Sequence, residues 1–256
     1  MNVLRRQHGM SLIELMVALV IGSILIIGAV SVYMQSRSSY RVNEAVARLQ
    51  ENARFALDTM EPDIRLARYW GQTSRTAFIE GRATPLEGAA FAVGGDCTVN
   101  WSVNLDSNIE GANNAFPLWG TCASAFSGNP ADDADVLVVR HAGADPVAPA
   151  AGRIQVQSDR AHGQLFADGV EPSGFATTSE TFNLVAHGYY ISKDSTGAAG
   201  RPSLRRKALT GGPAVTDEEI IPGVEDLQVQ FGVDTDIDGV ANRYVNPDYA
   251  LVGTDN

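Results

Sequence analysis

The sequence predicts an α+β protein, with one long N-terminal helix packed on an antiparallel β-sheet. Three observations lead there. An apolar run fills residues 12–34, and a three- and four-residue apolar rhythm continues from it, without a breaker, to about residue 68. From Trp70 onward, short apolar or alternating runs are punctuated by Gly, Pro, Asn and Asp, with no helix-length pattern between them. Strands joined by turns pair antiparallel, and a helix with an apolar stripe must bury it against them.

The front of the helix carries a single charge, Glu14, inside an otherwise apolar stretch, with Arg5 and Arg6 ahead of it. A central Asp, Lys or Arg costs about 2.5–3.5 kcal/mol on insertion scales, and Glu is of similar size. Thirteen Leu, Ile and Val residues between Leu12 and Val32 outweigh that cost. About 20 apolar residues suffice to cross a bilayer. Two general readings compete. A secretory signal peptide has an apolar core of about 7–15 residues; the run from Leu15 to Met34 is longer, although Ala29-Val30-Ser31 offers a weak cleavage site. A plain signal anchor fits the length. Neither gives Glu14 a task.

In the second half of the helix, Val42, Val46, Leu49, Ala53, Ala56, Met60, Ile64 and Ala67 recur on one face. This stripe is expected to hold the globular domain. Glu44–Arg48, Arg54–Asp58 and Glu61–Arg65 are four apart and can pair on the solvent side. The helix is expected over residues 11–68, on the order of 85 Å long. Gly22, Gly28 and especially Pro62 are expected bends. Beyond it, strands are expected at 136–141, 153–157, 182–192, 203–209 and 224–233, with loops and short strands over 71–134 and a connector at 142–152.

Composition narrows the chemistry. A formal charge of −11 argues against nucleic-acid binding by the globular part. Cys97 and Cys122 lie beyond the membrane segment, on the oxidising side if the N-terminus stays in the cytoplasm, and a structural disulfide is the expected state. Closing a loop of about 25 residues is worth roughly 3–4 kcal/mol on the chain-entropy model. No C-x-x-C, H-E-x-x-H, G-x-S-x-G or phosphate-binding glycine loop occurs, and His141, His162 and His187 lie in separate segments. No catalytic residue is expected. The basic run Arg201, Arg205, Arg206 and Lys207 reads as a solvated strand face rather than an anion-binding surface.

One further motif carries chemistry. Asp234-Thr235-Asp236-Ile237-Asp238-Gly239-Val240-Ala241-Asn242 places carboxylates at alternate positions followed by Gly, the front of a calcium loop. Asp234, Asp236, Asp238, the Val240 carbonyl and Asn242 are the expected ligands. The carboxylate normally at position 12 is replaced by Val245, with Asp248 as a late substitute. The competing reading is an acidic, solvated turn.

Two groups of segments resemble a known family. Gly9-Met10-Ser11-Leu12-Ile13-Glu14-Leu15-Met16-Val17-Ala18-Leu19 resembles the type IV prepilin N-terminus, with Met10 where major pilins usually carry Phe. The resemblance implies that a prepilin peptidase cuts between Gly9 and Met10 and methylates the new amino terminus. Glu14 then becomes the fifth mature residue, placed to pair with a neighbouring subunit's terminus in a core of low dielectric. Leu49–Leu57 and Asp63–Ala67, together with Pro202-Ser203-Leu204-Arg205-Arg206 and Pro222-Gly223-Val224-Glu225-Asp226-Leu227-Gln228-Val229, resemble the PilW-type minor pilins. Residues 71–180 hardly share the likeness.

This resemblance implies a type IV pilin-like fold and a three-part layout: leader 1–9, helix 10–68 with its transmembrane half at 12–34, and a periplasmic or pilus domain at 69–256. It also implies a minor pilin that helps initiate type IV pilus assembly and enters the pilus or its tip complex. The expected partners are the prepilin peptidase, other minor pilins, the major pilin, a tip adhesin and the inner membrane. Before assembly, the N-terminus is expected in the cytoplasm and the C-terminal domain in the periplasm. Family members usually continue past the Asp-rich loop into a final apolar strand, so Tyr249-Ala250-Leu251-Val252 suggests a truncated end. The alternatives are a J-like pseudopilin of a type II secretion system and, from another class, a membrane-anchored periplasmic enzyme.

Overall fold

A computed structural model describes residues 9–83, 91–95, 100–115, 129–236 and 238–248. Cys97, Cys122, Ile237 and residues 249–252 therefore lie outside the described residues, as does the leader up to His8. The chain divides into two units, Met1–Glu51 and Asn52–Asn256.

Helix α1 runs over Leu12–Leu66. It continues through Pro62, which stands one turn from the end and costs the helix one backbone donor without breaking it. Arg68, at φ 68°, takes the left-handed conformation that stops a helix, and its Nε donates to Ser74 O at 3.2 Å. The expected surface pairs form: Glu44–Arg48 at 2.6 Å, Arg54–Asp58 at 3.6 Å and Glu61–Arg65 at 2.5 Å. All are exposed, and each is worth a few tenths of a kcal/mol.

Among the described residues, the remaining elements are a 3₁₀ turn at Thr76–Phe78 and ten strands: β1 Ile79–Glu80, β2 Ile109–Ala112, β3 Val136–Ala142, β4 Ala151–Ser158, β5 Gly163–Asp168, β6 Glu180–Ser192, β7 Ser203–Thr210, β8 Ala214–Pro222, β9 Phe231–Val233 and β10 Arg243–Val245. The first eight form one sheet, antiparallel except where β1 runs parallel to β5; β9 and β10 make a separate hairpin. Strand β6 is the spine. It pairs with β3 through residues 184–189, with β4 through 180–183 and with β7 through 187–192.

One expected strand is largely lost and one unexpected strand appears. Of 224–233, only β9 is a strand. The apolar alternation at Val224, Leu227 and Val229 is real and packs on the core. Its backbone, however, is used by Asp135, whose N–H donates to Leu227 O at 2.8 Å and whose carboxylate accepts from Val229 N at 2.7 Å. Conversely, β8 contains Asp217, Glu218 and Glu219, a run that reads as a turn until its cationic partners on β7 are seen.

The sheet is buried on both faces, which explains why all seven residues of β3 are buried. Even-numbered residues Val136, Val138, Leu184, Ala186 and Tyr190 join Trp70, Ile79, Trp101, Val103 and Leu105 in one core. Arg140, fully buried on that face, donates to the carbonyls of Trp101 and Ser107 and to Glu110, tying down the 100–110 segment. Gly71, at φ +86°, lets the chain leave α1 close above the sheet; a Cβ there would stand 2.3 Å from the Phe182 ring and 2.6 Å from Ser158 Oγ.

Odd-numbered residues Leu137, Val139, Tyr189 and Ile191 join Leu204 in a second core, which takes Ala56 and Met60 from the end of α1. The expected Val42–Ile64 stripe is therefore corrected. Ala56 and Met60 are buried, whereas Val42, Val46, Leu49 and Ile64 are exposed. The periodicity reports a face, not how much of its length is covered; at the buried end Asp63 joins Ala56 and Met60 on that face.

The Asp63 carboxylate receives three groups. His141 Nε2 of β3 stands 3.3 Å from Oδ1, His187 Nδ1 of β6 stands 2.5 Å from Oδ2, and Tyr189 O–H donates to Oδ2 at 2.6 Å. Burial alone would raise the Asp63 pKa, but hydrogen bonds from His141 and His187, the nearby His187 charge and Tyr189 overcome it. They hold the carboxyl well below the usual carboxylate range. Burial, followed by the Asp63 charge and hydrogen bond, pushes the Tyr189 phenol up.

Asp63→Ala removes the acceptor and leaves buried donors unpaired. The expected loss is about 3–5 kcal/mol, read as a lowered Tm of the full chain in detergent, with Asp63→Asn recovering part of it. Because the folded pKa is depressed, this stability is present above the ordinary Asp value of about 3.9 and is lost as pH falls further. A melt at about pH 3 should therefore narrow the gap between the native chain and Asp63→Ala.

Candidate functional site

Two regions were singled out by sequence, the N-terminal segment and the Asp-rich loop. Gly9 and Met10 precede α1 and are both exposed, Met10 at 75%. A Cβ added at Gly9 would meet nothing within 4 Å, so local packing does not explain a glycine there. Helix α1 then opens with a reciprocal pair. Ser11 Oγ accepts from Glu14 N at 3.3 Å, and Glu14 Oε2 accepts from Ser11 N at 2.9 Å. Ser11 is the N-cap and Glu14 the third helical residue, so together they form a capping box that satisfies two free donors at the helix start. Glu14 thus has a local task that sequence reading overlooked, although Ser at the cap and Glu three residues on was a visible signal. Ser11 and Glu14 both lie beyond the Gly9–Met10 bond, so a cut there leaves the box in place.

Behind this cap, α1 has the length and apolarity to cross a membrane, and its apolar stretch is not buried. Ser23 Oγ donates to Val20 O at 2.8 Å, which hides its hydroxyl inside the apolar stretch.

The Asp-rich loop joins β9 to β10. Oxygens of Asp234, Asp236 and Asp238 lie within 4.8 Å of one another. The loop is folded by its own backbone: Asp234 Oδ2 accepts from Gly239 N at 2.7 Å, Asp234 Oδ1 from Asp236 N at 3.2 Å, and Asp238 Oδ1 from Val240 N at 2.8 Å. Gly239 has φ +89°, a sharp turn that suits glycine. Asn242 is otherwise engaged. Its Oδ1 accepts from Thr235, and its Nδ2 donates to Asp236 Oδ1 at 2.9 Å, so it must rotate before it can act as a ligand. Val245 is buried in β10 at the position of the missing carboxylate, and Asp248 does not join the three converging acids. Three carboxylates suit a hard cation such as calcium, but the set falls short of the usual six to eight oxygens without water.

Arg201 is exposed, but the rest of the basic run is not a solvated face. Arg205 and Lys207 are buried, and across β7 and β8 the register sets Arg205 opposite Glu219, Arg206 opposite Glu218 and Lys207 opposite Asp217. Arg205 bonds Asp217 at 3.1 Å and Glu219 at 3.3 Å, and Arg206 bonds Glu218 at 2.5 Å. Burial pushes the Lys207 ammonium down to about 8 against the opposing pull of Asp217. These cations are used internally, which explains a basic run in an acidic chain without an anionic ligand.

Comparison with known families agrees with this geometry at both ends of the chain. Residues 4–30 match the Prokaryotic N-terminal methylation motif, covering the Gly9–Met10 junction, the cap and the apolar helix. An N-terminal helix of this kind, followed by a mostly antiparallel sheet, is a pilin-like α+β fold. Residues 188–253 match the family described as Type IV Pilus-assembly protein W, from the second half of β6 through the charged β7–β8 pair to the β9–β10 hairpin. Together the two matches support a PilW-like type IV pilin. No curated protein and no solved structure matches it.

Arg205→Ala should strip the cation from two acids in a buried setting, leaving Asp217 with the Tyr190 hydroxyl and Glu219 with Ser195 and Thr196; the side chains of Arg205 and Asp217 are 6% and 7% exposed. The expected cost is about 3–5 kcal/mol, measured by denaturant unfolding. Arg206→Ala, whose partner Glu218 is 45% exposed, should cost less than about 1 kcal/mol through that pair.

Proposed function

We propose that this chain is a minor pilin that helps initiate type IV pilus assembly and is carried into the pilus or its tip complex. One observation carries the reading: a methylation-type N-terminus on a helix of membrane length stands in the same chain as a PilW-like C-terminal module. A prepilin peptidase cuts after Gly9. Before assembly the helix anchors the protein in the inner membrane, with the N-terminus cytoplasmic and the globular unit periplasmic. Other minor pilins, the major pilin and a tip adhesin are its partners. On this reading the protein is structural and catalyses no reaction. Once cleaved, it begins at Met10, and Glu14 pairs with the amino terminus of an adjoining subunit. The bond from Ser11 N to Glu14 leaves the other carboxylate oxygen for that partner. The J-like pseudopilin remains the nearest alternative; the PilW match through the Asp-rich loop favours the pilus side.

Mass spectrometry of the native protein should find Met10, methylated, as the first residue; retention of residues 1–9 removes the reading. Glu14→Ala should be cleaved normally yet cut pilus number or incorporation at least several-fold. Normal piliation in that variant removes the docking role and leaves Glu14 as a helix cap alone.

We also propose that the Asp234, Asp236 and Asp238 carboxylates, with the Val240 carbonyl, bind calcium and order the β9–β10 hairpin. Calcium titration of the full chain in detergent should saturate, and Asp236→Ala should abolish saturation. A native chain that shows no saturable uptake leaves only an acidic turn.

A further inference from the structure

The buried fastening of α1 contains an unusual demand on one histidine. His141 is 3% exposed, its Nδ1 lies 2.7 Å from the Ala142 carbonyl oxygen, and its Nε2 lies 3.3 Å from Asp63 Oδ1. A neutral imidazole has one N–H and one lone pair. Whichever nitrogen keeps the hydrogen, the other turns a lone pair towards an oxygen. Only the doubly protonated ring donates to both. His187 differs, because its contact, Nδ1 to Asp63 Oδ2 at 2.5 Å, needs a single hydrogen.

We propose that His141 makes the attachment of the end of α1 to the sheet proton-dependent, tight when its ring carries two hydrogens and weakened when one is lost. Such a clamp grips the last turns of the helix more firmly in mildly acidic surroundings than in alkaline ones. The sign follows from the geometry. Gain of the second hydrogen adds a donor against a carbonyl or a carboxylate, and its loss sets two acceptors face to face in a site with little water to intervene.

The charged and titratable groups around the ring support this direction. Helix α1 contributes the Asp63 anion, while Glu61 and Arg65 pair with each other in solvent. Strand β6 contributes His187 and Tyr189, both bonded to Asp63. Strand β7 contributes Arg206, which hydrogen-bonds Tyr189 and pairs with Glu218 of β8. Arg140, the preceding residue of β3, is bound on the opposite face of the sheet. Glu225 and Asp226 of the segment that crosses this core are exposed. Asp63 is therefore the anion in contact with His141, and it already holds three donors.

The test uses the full chain in detergent micelles, with Tm followed from about pH 5.5 to 8.5 by circular dichroism. The native chain is expected to lose about 2–4 °C across that range. His141→Gln, whose amide can donate to Asp63 but does not titrate, should flatten the profile. His162→Gln should keep it, since His162 is half-exposed, pairs with Asp159 in its own turn and stacks on Phe175. A flat native profile, a slope that survives in His141→Gln, or a slope that disappears in His187→Gln alone overturns the proposal. If His141→Gln fails to fold, nitrogen-15 shifts of the histidine rings in the folded native chain decide. One buried ring with both nitrogens protonated at about pH 6 supports the clamp, and a lone-pair signature on either His141 nitrogen overturns it.

Discussion

The globular unit is organised around a carboxylate that helix α1 inserts among the side chains of the sheet. Asp63 could not be buried alone; an unpaired anion in that setting would cost several kcal/mol. Its presence dictates where β3 and β6 must bring their donors, and hence the rotation of the helix about its own axis. The apolar contacts of Ala56 and Met60 follow from that rotation. Hydrophobic burial supplies most of the free energy, but it is non-directional. Three hydrogen bonds to one carboxylate give this packing its direction.

The same logic of charge met by charge appears on the other side of β6. Three successive cations of β7 stand opposite three successive anions of β8. Pairs of this kind break even at best against apolar residues of similar volume, but a shifted register would leave several charges buried without partners. They therefore fix which residues of the two strands meet. A PilW-like module with this ladder has a defined β7–β8 pairing before any other subunit is considered.

Much of this was legible in the chain, for definite reasons. The membrane-length run, the amphipathic continuation and the i, i+4 pairs are local, and local periodicity gave α1 to within two residues at either end. Strands β3, β4, β6 and β7 were readable because buried strands are apolar or alternate. Strand β8 was not, since its Asp-Glu-Glu run looks solvated until the opposite strand is known. The stripe reads as continuous from Val42 because periodicity is local and does not report where burial begins, and Asp63 reads as a solvent residue among apolar ones. His141 and His187 were set aside as separate, as they are in sequence; only the antiparallel register of β3 on β6 brings both to one carboxylate. The capping role of Glu14 is legible in the sequence too, as Ser11 followed three residues later by Glu14.

Strand β6 divides its partners along its length, β4 along residues 180–183 and β7 along 187–192, while β3 holds the opposite edge. A forked strand of this kind gives the sheet two prongs with a common root. The prongs touch where Gly212 N of the β7–β8 turn donates to Gly152 O of β4 at 2.5 Å, and Leu209 shares a core with Ile154. The β4–β5 turn lies at the other end of β4, so its length can change for a new surface while the C-terminal prong keeps its form.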